Sequence, residues 1–278
     1  MAIQTSADLR ALYPDKFHYL PDLVPTALIN DSRVVTFGAD IMGDAPSLLV
    51  PWTAEDATTD FVNEGAEIPL SDPEFNQLEI RTRKLAVLTE ASRESTRNTP
   101  GSVDMLVTSQ LRSLTVKLNA VLLNNLPAQG STGLVLDAAP IGGTVTTNLD
   151  PIADAVTGVE VNGGTPTAIL IDPIGAGILR KLKTTSASAE TLLQVDAGSR
   201  EIAFYGVPVI VCPQMPARTG LVVDSSDIIA AYSNVEVDKS EEAAFSRDSV
   251  QYRTTVRTGW KKVHPQRATK FVFAAPAA

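Results

Sequence analysis

The sequence predicts an α+β fold, and three observations carry that prediction. Val103, Val107, Leu111, Leu114, Leu118, Val121 and Leu122 fall at spacings of three and four, the period of one helix face. Apolar or alternating runs at Ile80–Ala91, Thr167–Ile171, Ile202–Val211 and Val250–Thr258 read as strands. Helices and strands alternate in the middle of the chain, whereas strands dominate towards its C-terminal end, so the two kinds of element are partly segregated.

The 278 residues suffice for one large domain or two smaller ones. Hydrophobic residues make up 44% and charged residues 20%, the balance of a globular chain rather than a disordered one. A net charge of −9 argues against a general nucleic-acid binder, which needs a basic face, but permits a local basic patch. The single cysteine, Cys212, follows the apolar run Val207–Val211; it excludes an intramolecular disulfide and reads as a small buried hydrophobe. Met1 to Arg10 lacks the pattern of a signal peptide, and no run of about 18 apolar residues occurs, so the cytoplasm is the default expectation.

In chain order, residues 1–45 read as an extended arm, with a helix near Ser6–Tyr13 capped by Ser6 and stopped before Pro14. Pro51 to Arg81 is the most distinctive stretch. It holds eight acidic residues (Glu55, Asp56, Asp60, Glu64, Glu67, Asp72, Glu74, Glu79) and no Lys or Arg before Arg81. Trp52, Phe61, Ile68, Leu70, Phe75 and Leu78 give it too little apolar surface for its own core and too much for simple coil. Long loops in compact domains are usually functional or disordered. The stretch therefore reads as an extended flap, a hairpin-like excursion whose apolar residues are buried by another copy of the same protein.

After the strand Ile80–Ala91, Thr99 caps a helix whose first turn tolerates Pro100. The helix runs about 25 residues, or roughly 37 Å at about 1.5 Å per residue, a spine suited to a flat molecule. Its opposite face carries Gln110, Arg112, Ser113 and Lys117. Gly130–Asn148 is a connection; Pro151–Val159 is a short helix ended by Asn162-Gly163-Gly164. Asp172 caps a second helix with Pro173 at its first position and Ile174, Ile178, Leu179 and Leu182 on the inner face. Strands follow at Ile202–Val211, broken at Gly206 and Pro208, then at Leu221–Asp224, Ile228–Tyr232, Val235–Val237, Val250–Thr258 and Ala268–Phe273.

Motifs for chemistry are scarce. His18 and His264 are the only histidines, which leaves no histidine triad or multi-histidine metal site. No Gly-x-Ser-x-Gly elbow or phosphate-binding loop occurs. Asp172–Gly177 resembles a dinucleotide turn only in part, since Pro173 removes a donor and Arg180 stands where a third glycine belongs. The flap's scattered acids lack the spacing of a calcium loop. Glycosidase chemistry by paired carboxylates would lack the aromatic platforms sugars stack on. The residues point to no catalytic group, cofactor or metal.

Charge is segregated instead. Residues 251–270 hold six basic residues (Arg253, Arg257, Lys261, Lys262, Arg267, Lys270) and no acid. An acidic flap and a basic C-terminal stretch are complementary within or between subunits. Exposed ion pairs contribute only about 0–1 kcal/mol each, so charge would set register while Trp52, Phe61 and Phe75 supply burial. The contact residues expected on the flap are Trp52, Phe61, Glu64, Glu67, Ile68 and Phe75; on the basic strands they are Arg253, Arg257, Lys261, Lys262 and Arg267. A flap-to-neighbour contact is heterologous and must close into rings or propagate.

This order of parts resembles the major capsid protein family of tailed bacteriophages, the Hong Kong 97-like fold shared with encapsulin shells. The resemblance covers nearly the whole chain. It rests on Trp52, Glu64-Gly65-Ala66-Glu67-Ile68-Pro69 and Phe75 in the extended loop, Lys84–Glu94 leading into the spine helix, Leu170-Ile171-Asp172-Pro173, Phe204-Tyr205-Gly206-Val207-Pro208-Val209 and Leu221–Tyr232. It implies an N-terminal arm at 1–45, an extended loop at 46–83, and a first peripheral part at 84–136 with its spine helix at 100–125. An axial domain at 137–233 and a second peripheral part at 234–278 complete the division. It further implies a non-enzymatic virion protein, assembled in the host cytoplasm into pentamers and hexamers of an icosahedral head around double-stranded DNA, bound without sequence specificity. A portal, a separate scaffolding protein or none, and an optional decoration protein are the other partners implied; no membrane is. Residues 52–80 contain no lysine, so the lysine–asparagine cross-link of some members is unsupported. The alternatives are an encapsulin-type shell protein enclosing enzyme cargo and a soluble α/β enzyme acting on a small carbohydrate.

Overall fold

The computed structural model describes residues 27–41, 45–63, 65, 67–68, 70–98, 102–125, 130–140, 143–146, 148–182 and 202–274. The helix expected at Ser6–Tyr13 and the cap expected at Thr99-Pro100 lie outside the described residues. In chain order the first elements are β1 (Thr36–Asp40), β2 (Ser47–Glu55), β3 (Glu74–Arg81), β4 (Arg83–Ser92), α1 (Arg93–Asn98) and α2 (Ser102–Asn124). Then come β5 (Thr144–Val145), α3 (Asp150–Val161), β6 (Ala168–Ile171), α4 (Pro173–Lys181), β7 (Ala203–Phe204), β8 (Val207–Val211) and β9 (Thr219–Val223). The chain closes with β10 (Ile228–Tyr232), β11 (Glu236–Ser240), β12 (Ser249–Lys262) and β13 (Thr269–Phe273).

A five-stranded sheet is organised by the long strand β12. It pairs antiparallel with β4 along one side, from Ser249↔Ser92 to Thr258↔Arg83, and with β11 and then β10 along the other. β1 joins the outer side of β10 in parallel. The helix α2 packs across one face, burying Leu114, Leu118, Leu122 and Leu123. The expected inner face is right for its C-terminal half and rotated in its N-terminal half, where Leu111 is half-buried and Gln110 is buried. Gln110 belongs inside because its amide is matched: it donates to Thr89 Oγ1 (2.6 Å) and Tyr252 O (2.9 Å) and accepts from Thr254 Oγ1 (2.7 Å). A buried amide is tolerated on such terms.

A six-stranded sheet runs β5-β13-β9-β6-β8-β7. All four residues of β6 are buried because both sheet faces are covered. Ile169 and Ile171 face a core with Ile152, Val159 and Leu179 from α3 and α4, while Ala168 and Leu170 face a second core shared with Leu118, Leu122 and Trp260. The alternation of β6 thus joins the two halves of the fold. Asp172 caps α4 as expected, accepting from Ile174 N–H (3.2 Å) and Gly175 N–H (2.9 Å). Of the apolar residues expected on the inner face of α4, Leu179 and Leu182 are buried, but Ile174 is exposed and Gly175 and Ala176 take its place. β7 and β8 are joined by Tyr205-Gly206, both with positive φ (51° and 82°), the two-residue turn that suits strand twist. Pro208 does not break the strand, since the β6 register on β8 begins one residue later at Val209. β13 joins this second sheet, between β9 and β5, rather than the five-stranded one.

Candidate assembly interface

The acidic flap is an antiparallel ribbon of β2 and β3, in register from Ser47↔Arg81 to Glu55↔Glu74. The expected strand Ile80–Ala91 is interrupted at its root, Thr82. There Thr82 N–H donates to Pro46 O (2.9 Å) and Thr82 Oγ1 to Ala45 O (2.5 Å), so the ribbon departs as a separate sheet. Alternation along the ribbon gives it two faces. Leu78 and Ile80, on one face, are buried against the body, while Leu49 and Phe75, on the other, are exposed. The root passes over Gly259 of β12, whose position admits no side chain: a Cβ there would lie 2.5 Å from Arg81 O. Trp52 is half-buried, its ring edge-on to His264 at 5.3 Å. His264 is held in turn by Asp227, its ring Nδ1 at 2.6 Å and its backbone N–H at 2.9 Å from Asp227 Oδ1. Burial pushes the Asp227 carboxyl above its ordinary value, against the lowering effect of His264.

Beyond Glu55 the ribbon opens into a tip. Its limbs are tied where Thr58 N–H donates to Ser71 Oγ (2.7 Å). Phe61 is fully exposed, and Ile68 (77%), Leu70 (93%) and Phe75 (73%) nearly so; Glu67 is exposed too. Glu64 lies outside the described residues. The expected contact set is therefore divided: Trp52 is engaged with its own chain, whereas Phe61, Glu67, Ile68 and Phe75 present themselves outward.

The basic stretch does not form one stripe. Arg253 pairs with Asp238 (2.6 Å) on the open side of the sheet. Lys262 is a correction to the expected contact set, because its side chain is 2% exposed and is used inside the subunit. Its ammonium donates to Asp137 O (2.5 Å) and lies 3.2 Å from Asp137 Oδ2. Burial pushes its pKa down, against the raising effect of Asp137. Arg267 Nε donates to Asn162 O (3.0 Å) beside α3, and Lys261 is exposed. What the fold gathers instead is a cleft of about 670 Å³ at the flap root, lined by Arg81, Arg83, Lys84 and Arg257 with Glu79, Ser47 and Thr82. Sequence reasoning missed it because Arg257 reaches it only through the register Arg257↔Lys84.

Among the described residues no cluster of His, Cys, Asp or Glu could hold a metal ion, and no helix is long and apolar enough to cross a membrane. Cys212 is buried, with its Sγ 3.2 Å from Gln214 Oε1. The model of the phage capsid family matches residues 30–273. The chain belongs to the phage capsid family. No curated protein matches it. Among solved structures, a chain of Gordonia phage Cozz is similar with a TM-score of 0.77 at 17% identity, over 97% of this chain and 94% of that one. The capsid of an empty GTA particle gives 0.73 at 15% identity over 98% of both chains, and Microbacterium phage Oxtober96 gives 0.69 at 17% over 98% and 100%. The Hong Kong 97-type fold therefore extends over nearly the whole capsid protein. It is a major capsid protein of a tailed-phage or GTA head shell, a non-enzymatic virion component that assembles with copies of itself.

Proposed function

We propose that the flap is the arm by which each subunit grips the next around pentamers and hexamers of the shell. The observation that carries this reading is the division of the flap's apolar residues. Leu78 and Ile80 are buried on the subunit's own body, and Phe61, Ile68, Leu70 and Phe75 are covered by none of its described residues. Full burial of four such side chains is worth about 6–12 kcal/mol gross, at about 1.5–3 kcal/mol each. Such a surface marks an interaction site. Glu67 and the neighbouring acids set register on the receiving subunit. The five-stranded sheet with α2 forms the peripheral domain and the six-stranded sheet the axial domain, to which the chain returns through β13. The head encloses double-stranded DNA without sequence specificity and is completed by a portal, with scaffolding and decoration proteins as further partners; assembly takes place in the host cytoplasm.

The test is Phe61→Ser with Leu70→Ser. Both residues are exposed, so the subunit keeps its circular dichroism and denaturation midpoint while particles disappear from negative-stain images. Normal particles from the double variant would refute the grip.

A further inference from the structure

We infer that the cleft at the flap root is the receptor for the acidic flap tip of a second copy of this chain. The inference rests on the grip proposed above and names where it lands. From Glu55 to Glu74 the flap carries Glu55, Asp56, Asp60, Glu64, Glu67, Asp72 and Glu74 and no basic residue. The cleft presents Arg81, Arg83, Lys84 and Arg257 against one acid, Glu79. Arg81 is 3.7 Å from Glu79, and Arg257 is already engaged, with its Nη1 3.4 Å from Thr82 Oγ1. Arg83 and Lys84 are exposed and make no ion pair among the described residues.

The tip cannot serve its own cleft. The paired stem runs from Arg81, in the cleft wall, to Glu74. At about 3.3 Å per residue its eight residues hold the tip roughly 26 Å away. A tip held away from its own cleft, and matched in charge to that of another copy, makes a head-to-tail contact, the heterologous kind that closes rings. Charge complementarity of this sort fixes partner and register. The apolar residues of the tip supply the burial around it.

Carbodiimide joins carboxylates to amines only in contact, and Lys84 is the cleft's one amine. Particles assembled from a mixture of isotope-labelled and unlabelled subunits are treated with carbodiimide and digested for mass spectrometry. The expected product is a mixed-isotope peptide joining Lys84 to Asp56, Asp60, Glu67 or Asp72. Charge reversal gives the second arm. Arg83→Glu with Lys84→Glu abolishes particles, Asp56→Lys with Asp60→Lys and Asp72→Lys does the same, and a chain carrying all five changes assembles again. Links from the tip to another lysine of a neighbour, or reversal of the cleft without loss of particles, would overturn the cleft and leave the grip standing. Links from Lys84 to Asp8, Asp15 or Asp22 would assign the cleft to the chain's own first residues and overturn the inference. Particles that tolerate both Phe61→Ser with Leu70→Ser and the reversed tip would overturn the grip itself.

Discussion

Gln110→Leu tests how the spine helix is fastened to the sheet. The side chain is 2% exposed and its amide makes three hydrogen bonds, to Thr89 Oγ1, Tyr252 O and Thr254 Oγ1. Leucine keeps the volume and removes all three. A typical bond contributes about 0.5–1.5 kcal/mol, and a buried group left without a partner costs about 1–3 kcal/mol. Thr254 is 0% exposed, so its hydroxyl has no water to turn to; Thr89 is only half-buried and finds one. The expected loss is about 2–4 kcal/mol. Urea denaturation of the unassembled subunit measures it. Thr254→Val supplies the control: alone it strands the Gln110 carbonyl oxygen, but on top of Gln110→Leu it costs much less, because its partner is already gone. A Gln110→Leu subunit within about 0.5 kcal/mol of wild type, or additive losses in the double variant, would refute the reasoning.

Leu118→Ala, at a fully packed position of α2, is expected to cost about 2–5 kcal/mol, and Leu111→Ala, half-exposed, distinctly less; denaturation midpoints rank the two. Gly259→Ala places a Cβ 2.5 Å from Arg81 O and 3.1 Å from Ile80 Cγ2, so the flap root must shift, at about 1–3 kcal/mol in subunit denaturation and with misassembled particles by electron microscopy. Asp227 is raised above its ordinary 3.8 by burial, so the folded chain takes up this proton at a higher pH than the unfolded chain. Its contribution to stability therefore falls as pH rises through that window and returns as pH falls. Wild type is expected to gain on Asp227→Asn as pH drops towards the carboxylate range, and parallel stability-versus-pH curves would contradict it.

The parts of the fold legible in the sequence are those set by local period and punctuation. The α2 helix, the cap at Asp172, the continuously apolar β6 and the two-stranded flap all follow from spacing within a few residues. What escaped is set by residues distant in the chain. Gln110 looks like a solvent-facing polar residue until Tyr252 and Thr254 are brought beneath it. Leu78 and Trp52 look as homeless as Phe61, because Gly259 and His264, which shape the surface under the flap root, lie far along the sequence. Lys261 and Lys262 are adjacent in sequence and opposite in fate, since strand alternation sends one outward and the other to Asp137. Composition marked the flap as apolar without a core of its own and could not reveal which half of it the subunit's own body covers.

That division bears on how a shell could close. A two-stranded ribbon is marginal in water by itself, so an unfastened flap would sample many directions. A heterologous contact makes a closed ring only if every subunit offers its arm at one angle; a swivelling arm gives open chains as readily. Here Thr82 bonds the root to Ala45 and Pro46, Gly259 lets the ribbon lie against β12, and Trp52 meets His264, itself tied to Asp227. These contacts hold the stem while leaving Phe61, Leu70 and Phe75 bare. On the proposed reading, the affinity between subunits resides in the tip and the geometry of closure in the root. Substitutions at the two ends should then fail differently: tip variants as free subunits, and root variants as aggregates or irregular sheets of subunits that still adhere.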